Sequence, residues 1–167
     1  MLDDPLLAAR GISLRAASPD DAAFQRALFE TARVDASILA AWPEPARKVF
    51  LDQQFQFQSV HYARVHADAD RLIVLVESLP AGRLIVDRAS EGWCIVDIAL
   101  LPAWRGQGIG SLLLQSVLAA AAHAGAPAVT LTVDLGNPAR RLYQRLGFVT
   151  LEEVQPNAAM EWRPPVN

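Results

Sequence analysis

The stretch Arg105-Gly106-Gln107-Gly108-Ile109-Gly110 constrains the fold more than any other part of this chain. It holds three of the nine glycines. The apolar run WCIVDIALL (93–101) precedes it and reads as a strand ended by Pro102. After it, Ile109, Leu112, Leu113, Val117, Ala120 and Ala121 trace one helical face, which Gly125 and Pro127 stop. AVTLTVD (128–134) then returns as a strand. A chain that turns from strand into helix leaves the first helical N–H groups without partners, at the positive end of the helix dipole. That end attracts anions, phosphates above all. Glycines permit φ > 0 and let a ligand approach the backbone, and Arg105 adds a positive charge. A glycine-rich turn with no ligand is the alternative reading.

Two common phosphate motifs do not fit. The dinucleotide fingerprint G-x-G-x-x-G is absent, because the glycines fall at 106, 108 and 110. A phosphate loop of the G-x-x-x-x-G-K-[ST] type needs a lysine, and none follows Gly110. The elements upstream also differ from parallel βαβ units. GISLRAA (11–17) reads as a short strand. Ser18-Pro19-Asp20-Asp21 reads as a helix start, continued by Phe24, Ala27, Leu28 and Thr31. Trp42-Pro43-Glu44-Pro45 breaks the chain before a second helix reaching about Tyr62, rich in Gln and aromatics. Within it Leu51, Phe55 and Tyr62 share one face, and Phe50, Phe57 and His61 another. RLIVLVE (71–77), GRLIVDR (82–88) and the 93–101 run form an antiparallel meander, with SLPAG and ASEG as its turns. Asn137-Pro138 opens a short helix carrying Ala139, Leu142, Tyr143 and Leu146, with Gly147 placed for a left-handed C-terminus. FVTLEEV and AAMEWRP close the chain as strands. The order β-α-α-β-β-β-α-β-α-β-β implies an α/β (α+β mixed sheet) fold in a single domain over 1–167.

Composition removes several function classes. Net charge is −3 and the pI about 5.6, which disfavours generic binding to nucleic acid or to an anionic membrane. Cys94 is the one cysteine, so neither an internal disulfide nor a multi-cysteine metal site is expected. No metal site is expected at all. The N-terminus lacks the basic start and apolar run of a signal peptide. The apolar 109–129 stretch is interrupted by Gln115, His123 and Pro127 and fails as a membrane span. The expectation is a cytoplasmic protein.

IALLPAWRGQGIGSLLL, followed by NPARRLYQRLGF, resembles the GCN5-related N-acetyltransferase (GNAT) superfamily. Arg105, Gly108 and Gly110 fill its [RQ]-x-x-G-x-[GA] signature, and Leu142, Tyr143, Gly147 and Phe148 fill its L-Y-x-x-x-G-F signature. The motifs span about 93–150, and the element order of the whole chain also fits the family. The resemblance implies acetyl-CoA as acyl donor. Its pyrophosphate would lie on the backbone of Arg105, Gly106, Gln107, Gly108, Ile109 and Gly110. Its pantetheine arm would pair with the strand edge at Ile98, Ala99 and Leu100, beside a following strand that splays away. In many relatives an Asn stands seven residues before the Tyr. Here Asn137 stands six before it and Gly136 holds the usual place, so Asn137 either contacts pantetheine or caps the helix.

The implied reaction is direct acyl transfer from thioester to amine. An alkylammonium, with a pKa of about 10, must first lose a proton. The tetrahedral oxyanion needs a donor, expected from a backbone N–H near Leu100. Tyr143 occupies the family's position for the acid that serves the departing thiolate; otherwise it is a core tyrosine. Asp97 interrupts an apolar run and is either the base or water relay, or a structural hydrogen-bonding carboxylate. The acid that some relatives carry on the next strand is missing, since Thr130 and Thr132 stand there. His61, His66 and His123 are isolated, and His61 alone sits in a segment expected to face substrate. The acceptor is expected against the 31–62 region, with Asp35, Trp42, Phe57 and His61 as candidates. It would be a small-molecule or peptide amine. A longer acyl donor, a non-catalytic acyl-CoA sensor and a homodimer remain open.

Overall fold

The computed structural model describes residues 4–34 and 39–165. A seven-stranded mixed sheet carries helices on both faces. Its strands are β1 (Ile12–Ala16), β2 (Asp70–Val76), β3 (Leu79–Ala89), β4 (Gly92–Leu100), β5 (Val129–Asp134), β6 (Val149–Val154) and β7 (Asn157–Trp162). They lie in the order β1-β2-β3-β4-β5-β7-β6. Only β4 and β5 pair in parallel. The helices are α1 (Pro5–Ala8), α2 (Ala22–Val34), α3 (Glu44–Val65), α4 (Ile109–His123) and α5 (Arg140–Arg145). The element order is the expected one, with one addition. Short α1 comes first, started by Asp4, whose carboxylate accepts from Leu6 N–H at 2.8 Å, and by Pro5 in the first turn. Leu7 is the side chain that α1 buries.

Two apolar layers sandwich the sheet. On one face α4 contributes Leu113, Leu114 and Val117, packed with Leu84, Val86, Ile95, Val129, Leu131 and Met160. Each such fully buried side chain stabilises the fold by about 1.5–3 kcal/mol. Leu28, Phe29 and Leu51 from α2 and α3, with Ile73 and Ile85, are buried outside that cluster. Phe29 meets Phe55 with ring centroids 5.5 Å apart. Ser18 starts the α2 region as expected. Its N–H donates to Asp21 Oδ2 at 2.8 Å, and Arg15 grips the same carboxylate at 2.6 and 2.8 Å. These contacts hold the Asp21 carboxyl well below the usual carboxylate range, the Arg15 hydrogen bonds first among the causes.

The meander corrects one expectation. The turn between β2 and β3 is not SLPAG but the pair Glu77-Ser78, with φ of 49° and 70°. Both central residues at positive φ make the hairpin turn whose twist suits antiparallel strands. Leu79 to Gly82 already belong to β3, and the ladder slips between Val74↔Gly82 and Leu75↔Pro80. Pro80 is tolerated beside that irregularity because no regular ladder bond is asked of it there. Gly82 therefore serves a different purpose from a turn glycine. Among the described residues no helix is long and apolar enough to cross a membrane.

Candidate active site

The site begins where β4 leaves β5. The two strands pair only over Trp93↔Val129, Cys94↔Thr130 and Ile95↔Leu131. The ladder on the other side of β4 runs Val86↔Ile95 and then Ile85↔Asp97, so Val96 is a bulge residue. A bulge bends and twists its strand, and from here on β4 has no partner on its β5 side, while β5 stays paired to β7 as far as Asp134. Leu101 N–H donates to Ala81 O at 2.9 Å. Antiparallel alternation then turns the Ala99 backbone toward β3 and the Ile98 and Leu100 backbone groups toward the open edge. Gly82 lets β3 come close behind that edge. A Cβ on Gly82 would lie 2.3 Å from Ala99 O and 2.7 Å from Leu100 Cδ2.

The glycine loop caps the open edge. Gly106 and Gly108 adopt φ of 73° and 81°, which L side chains rarely do. A Cβ at either would meet nothing within 4 Å, whereas one at Gly110 would touch Leu100 and Leu142 at 3.9 Å. The first helical bond of α4 is Leu112 N–H to Gly108 O. The N–H groups of Gly106, Gln107, Gly108, Ile109, Gly110 and Ser111 have no acceptor among the described residues. A helix start leaves its first N–H groups free, and here the preceding loop adds three more. Arg105 acts differently from a free cation. Its Nε donates to Leu100 O at 2.9 Å and its second guanidinium nitrogen reaches Thr31 Oγ1 at 3.4 Å, tying the loop to β4 and α2.

Tyr143 lies within range of the Asp97 charge. Tyr143 is 7 % exposed and meets the Phe148 ring at 5.9 Å, edge-on. Burial, and then the negative charge of Asp97, push its phenol up to about 12. No hydrogen bond among the described residues reaches its hydroxyl. Gly147, at φ 93°, ends α5 behind it, and Phe148 N–H returns to Tyr143 O at 3.0 Å. Asp97 Oδ2 accepts from Arg83 Nε at 2.8 Å, and Arg83 in turn reaches Gln58 Oε1 on α3 at 3.3 Å. Arg83 is 5 % exposed. A buried cation needs such a partner, so Asp97 has a structural task whatever else it does. Its Oδ1 has no partner among the described residues.

The other expected site residues have the following surroundings. Asn137 Oδ1 accepts from Ala139 N–H at 2.9 Å, an Asx turn just ahead of α5, whose N-cap position is Ala139. Trp42 packs on Phe50, 5.4 Å between rings. Phe57 is 69 % exposed, and His61 is exposed beside Tyr62. No hydrogen bond, ion pair or ring contact among the described residues joins Trp42, Phe57 or His61 to Tyr143, Asp97 or the glycine loop. Asp35 lies outside the described residues. Sequence reasoning missed Gly82, Arg83 and Gln58. An arginine inside the apolar run GRLIVDR was a usable signal, since such a charge needs a buried partner. Among the described residues no three or more His, Cys, Asp or Glu side chains gather as a metal site would require.

Comparison with known proteins agrees with this fold. The sequence model of the acetyltransferase (GNAT) family matches residues 26–148. No curated protein matches the chain significantly. Among solved structures, the PaiA N-acetyltransferase of Thermoplasma acidophilum in complex with coenzyme A superposes with a TM-score of 0.69 at 16 % identity, covering 92 % of this chain and 99 % of that one. An acetyltransferase from Thermus thermophilus gives 0.68 at 17 %, covering 92 % and 97 %. Spermidine N-acetyltransferase from Vibrio cholerae, in complex with CoA and spermine, gives 0.64 at 17 %, covering 92 % and 95 %.

Proposed function

This chain belongs to the acetyltransferase (GNAT) family, and from that premise we propose that it moves an acetyl group from acetyl-CoA directly to an amine of a small molecule or peptide. The observation that carries the reading is the unbroken row of free N–H groups from Gly106 to Ser111, set at the end of a strand edge that has lost its neighbour. The coenzyme's diphosphate takes the N–H row. Its pantetheine amides take the open edge at Ile98, as an added strand would, because Leu100 O is already held by Arg105. The thioester then lies in the opening between β4 and β5.

The amine nitrogen attacks the thioester carbon, and the carbonyl oxygen becomes an oxyanion. The Leu100 N–H faces that side of β4 and serves as its donor. Asp97 Oδ1, directly or through water, takes the proton that the ammonium loses. The C–S bond breaks as the tetrahedral intermediate collapses and the nitrogen sheds its second proton, giving the neutral amide and a thiolate. Tyr143 meets the thiolate as a hydrogen-bond donor. With the phenol at about 12 and a thiol at about 8.5, full proton transfer to sulfur is uphill by roughly 5 kcal/mol. The proton that completes the free thiol is therefore the second one shed by the nitrogen, while the first, taken by Asp97, passes to solvent. Tyr143 stabilises the leaving group without being consumed.

A screen of amines and peptides, following coenzyme A release, tests the reading. The expected result is saturable turnover with at least one amine class and acetylated product by mass. Tight acetyl-CoA binding with no turnover across the screen would transfer support to a non-catalytic acyl-CoA sensor. Preferential binding of longer acyl-CoAs would change the donor.

A further inference from the structure

The loop's positive charge comes from an unexpected place. Arg105, the motif arginine, has its guanidinium tied to Leu100 O and Thr31. Arg10, at the far end of the sequence, donates to Gln107 O at 3.5 Å. It lies outside the residues matched by the family model, which begin at 26. Its backbone is anchored on both sides. Leu7 is 2 % exposed in the core beneath α4, and Arg10 N–H bonds Leu7 O at 3.0 Å. Gly11, at φ 65°, turns the chain into β1, and its carbonyl accepts from Glu77 N–H at 2.9 Å. The side chain itself is exposed and makes no ion pair among the described residues. A guanidinium has five donors in a planar fork, and one contact to Gln107 leaves most of them available. It thus stands beside the free N–H row, unneutralised.

We propose that Arg10 is a ligand of the coenzyme's diphosphate, supplied by the N-terminal segment to the glycine loop. This rests on the acetyl-CoA reading above. It makes the N-terminal segment part of the donor site, with the Gln107 carbonyl holding the guanidinium against the loop at the one contact it makes there. Arginine suits the task because its fork can hold two phosphate oxygens at once.

The test measures binding, by calorimetry, of coenzyme A and dephospho-coenzyme A to the full-length wild type, Arg10→Gln and Arg10→Lys. The expected result for Arg10→Gln is about five- to tenfold weaker binding of both ligands. The difference should shrink as salt rises, and Arg10→Lys should recover part of it. S-acetylpantetheine, which lacks phosphates, should be used as donor equally well by wild type and Arg10→Gln. Unchanged Kd for both ligands in a variant with wild-type melting would overturn the proposal. Loss of coenzyme A affinity alone, with dephospho-coenzyme A unaffected, would also overturn it, by placing Arg10 on the 3′-phosphate. If the wild type binds no coenzyme A, the donor reading fails first; if the wild type binds and Arg10→Gln binds equally well, this inference alone fails.

Discussion

Gly82→Ala is the sharpest perturbation the fold offers, because it adds one carbon and no polarity. That carbon would sit 2.3 Å from Ala99 O and 2.7 Å from Leu100 Cδ2. The first of these is backbone, so β3 and β4 must separate by roughly 1 Å to reach ordinary contact. Overpacking of this size costs about 1–3 kcal/mol, or a Tm drop of about 2–12 °C for a chain of this length. The displacement falls on Leu100, whose backbone faces the open edge where the thioester would lie. A misplacement of about 1 Å at a reacting centre reduces rate by about 100-fold. Thermal melting, calorimetry with coenzyme A and steady-state turnover should be run on one preparation. The expected pattern is a modest stability loss, an intact fold and a turnover loss far larger than either the Tm or the coenzyme Kd suggests. Wild-type turnover in Gly82→Ala would refute the argument that this glycine sets the β4 edge.

Three further outcomes follow from the geometry. Gly108→Ala should lower stability by about 1–2 kcal/mol through its left-handed backbone and weaken coenzyme A binding by about 10- to 100-fold, while Gly110→Ala, with room at 3.9 Å and no positive φ, should be neutral or stabilise by up to about 1 kcal/mol; equal effects by melting and calorimetry would contradict the assignment. Tyr143→Phe should reduce turnover by about 10- to 100-fold with little change in coenzyme affinity. Because the raised phenol keeps its proton below about pH 12, the wild-type to Tyr143→Phe rate ratio should stay flat from about pH 7 to 10, whereas a phenol at its ordinary value would lose half of it near pH 10. Asp97→Ala strands the buried Arg83 guanidinium and should cost about 3–5 kcal/mol, read as a Tm loss of about 6–20 °C; an unchanged Tm would show that the pair carries no structural load.

The sequence was most informative where a residue's task is local. Glycines at 106, 108 and 147 are needed for backbone angles within their own turns, and Ser18-Pro19 starts a helix region through neighbours a few residues away. Such tasks leave marks at fixed short spacing, so strand, loop and helix could all be named in order. Asn137 is likewise local, since its side chain closes a turn onto Ala139 two residues on. Gly82 failed as a turn signal for the opposite reason. Its glycine answers to Ala99 and Leu100 on another strand, and nothing near it in the chain records that.

By itself, then, the sequence determined the alternation of elements, the glycine-rich strand-to-helix turn at 105–110 and the pairing of two motifs that mark the family. It could do so because propensity, periodicity and helix-end electrostatics act over a few residues. Only the tertiary structure decided which groups share the opening. The bulge at Val96 freed the β4 edge, burial beside Asp97 raised the Tyr143 phenol, Arg83 claimed one oxygen of that same carboxylate, and Arg10 arrived at the glycine loop from the other end of the chain. Those outcomes depend on distances between residues far apart in sequence, and long-range packing alone sets them.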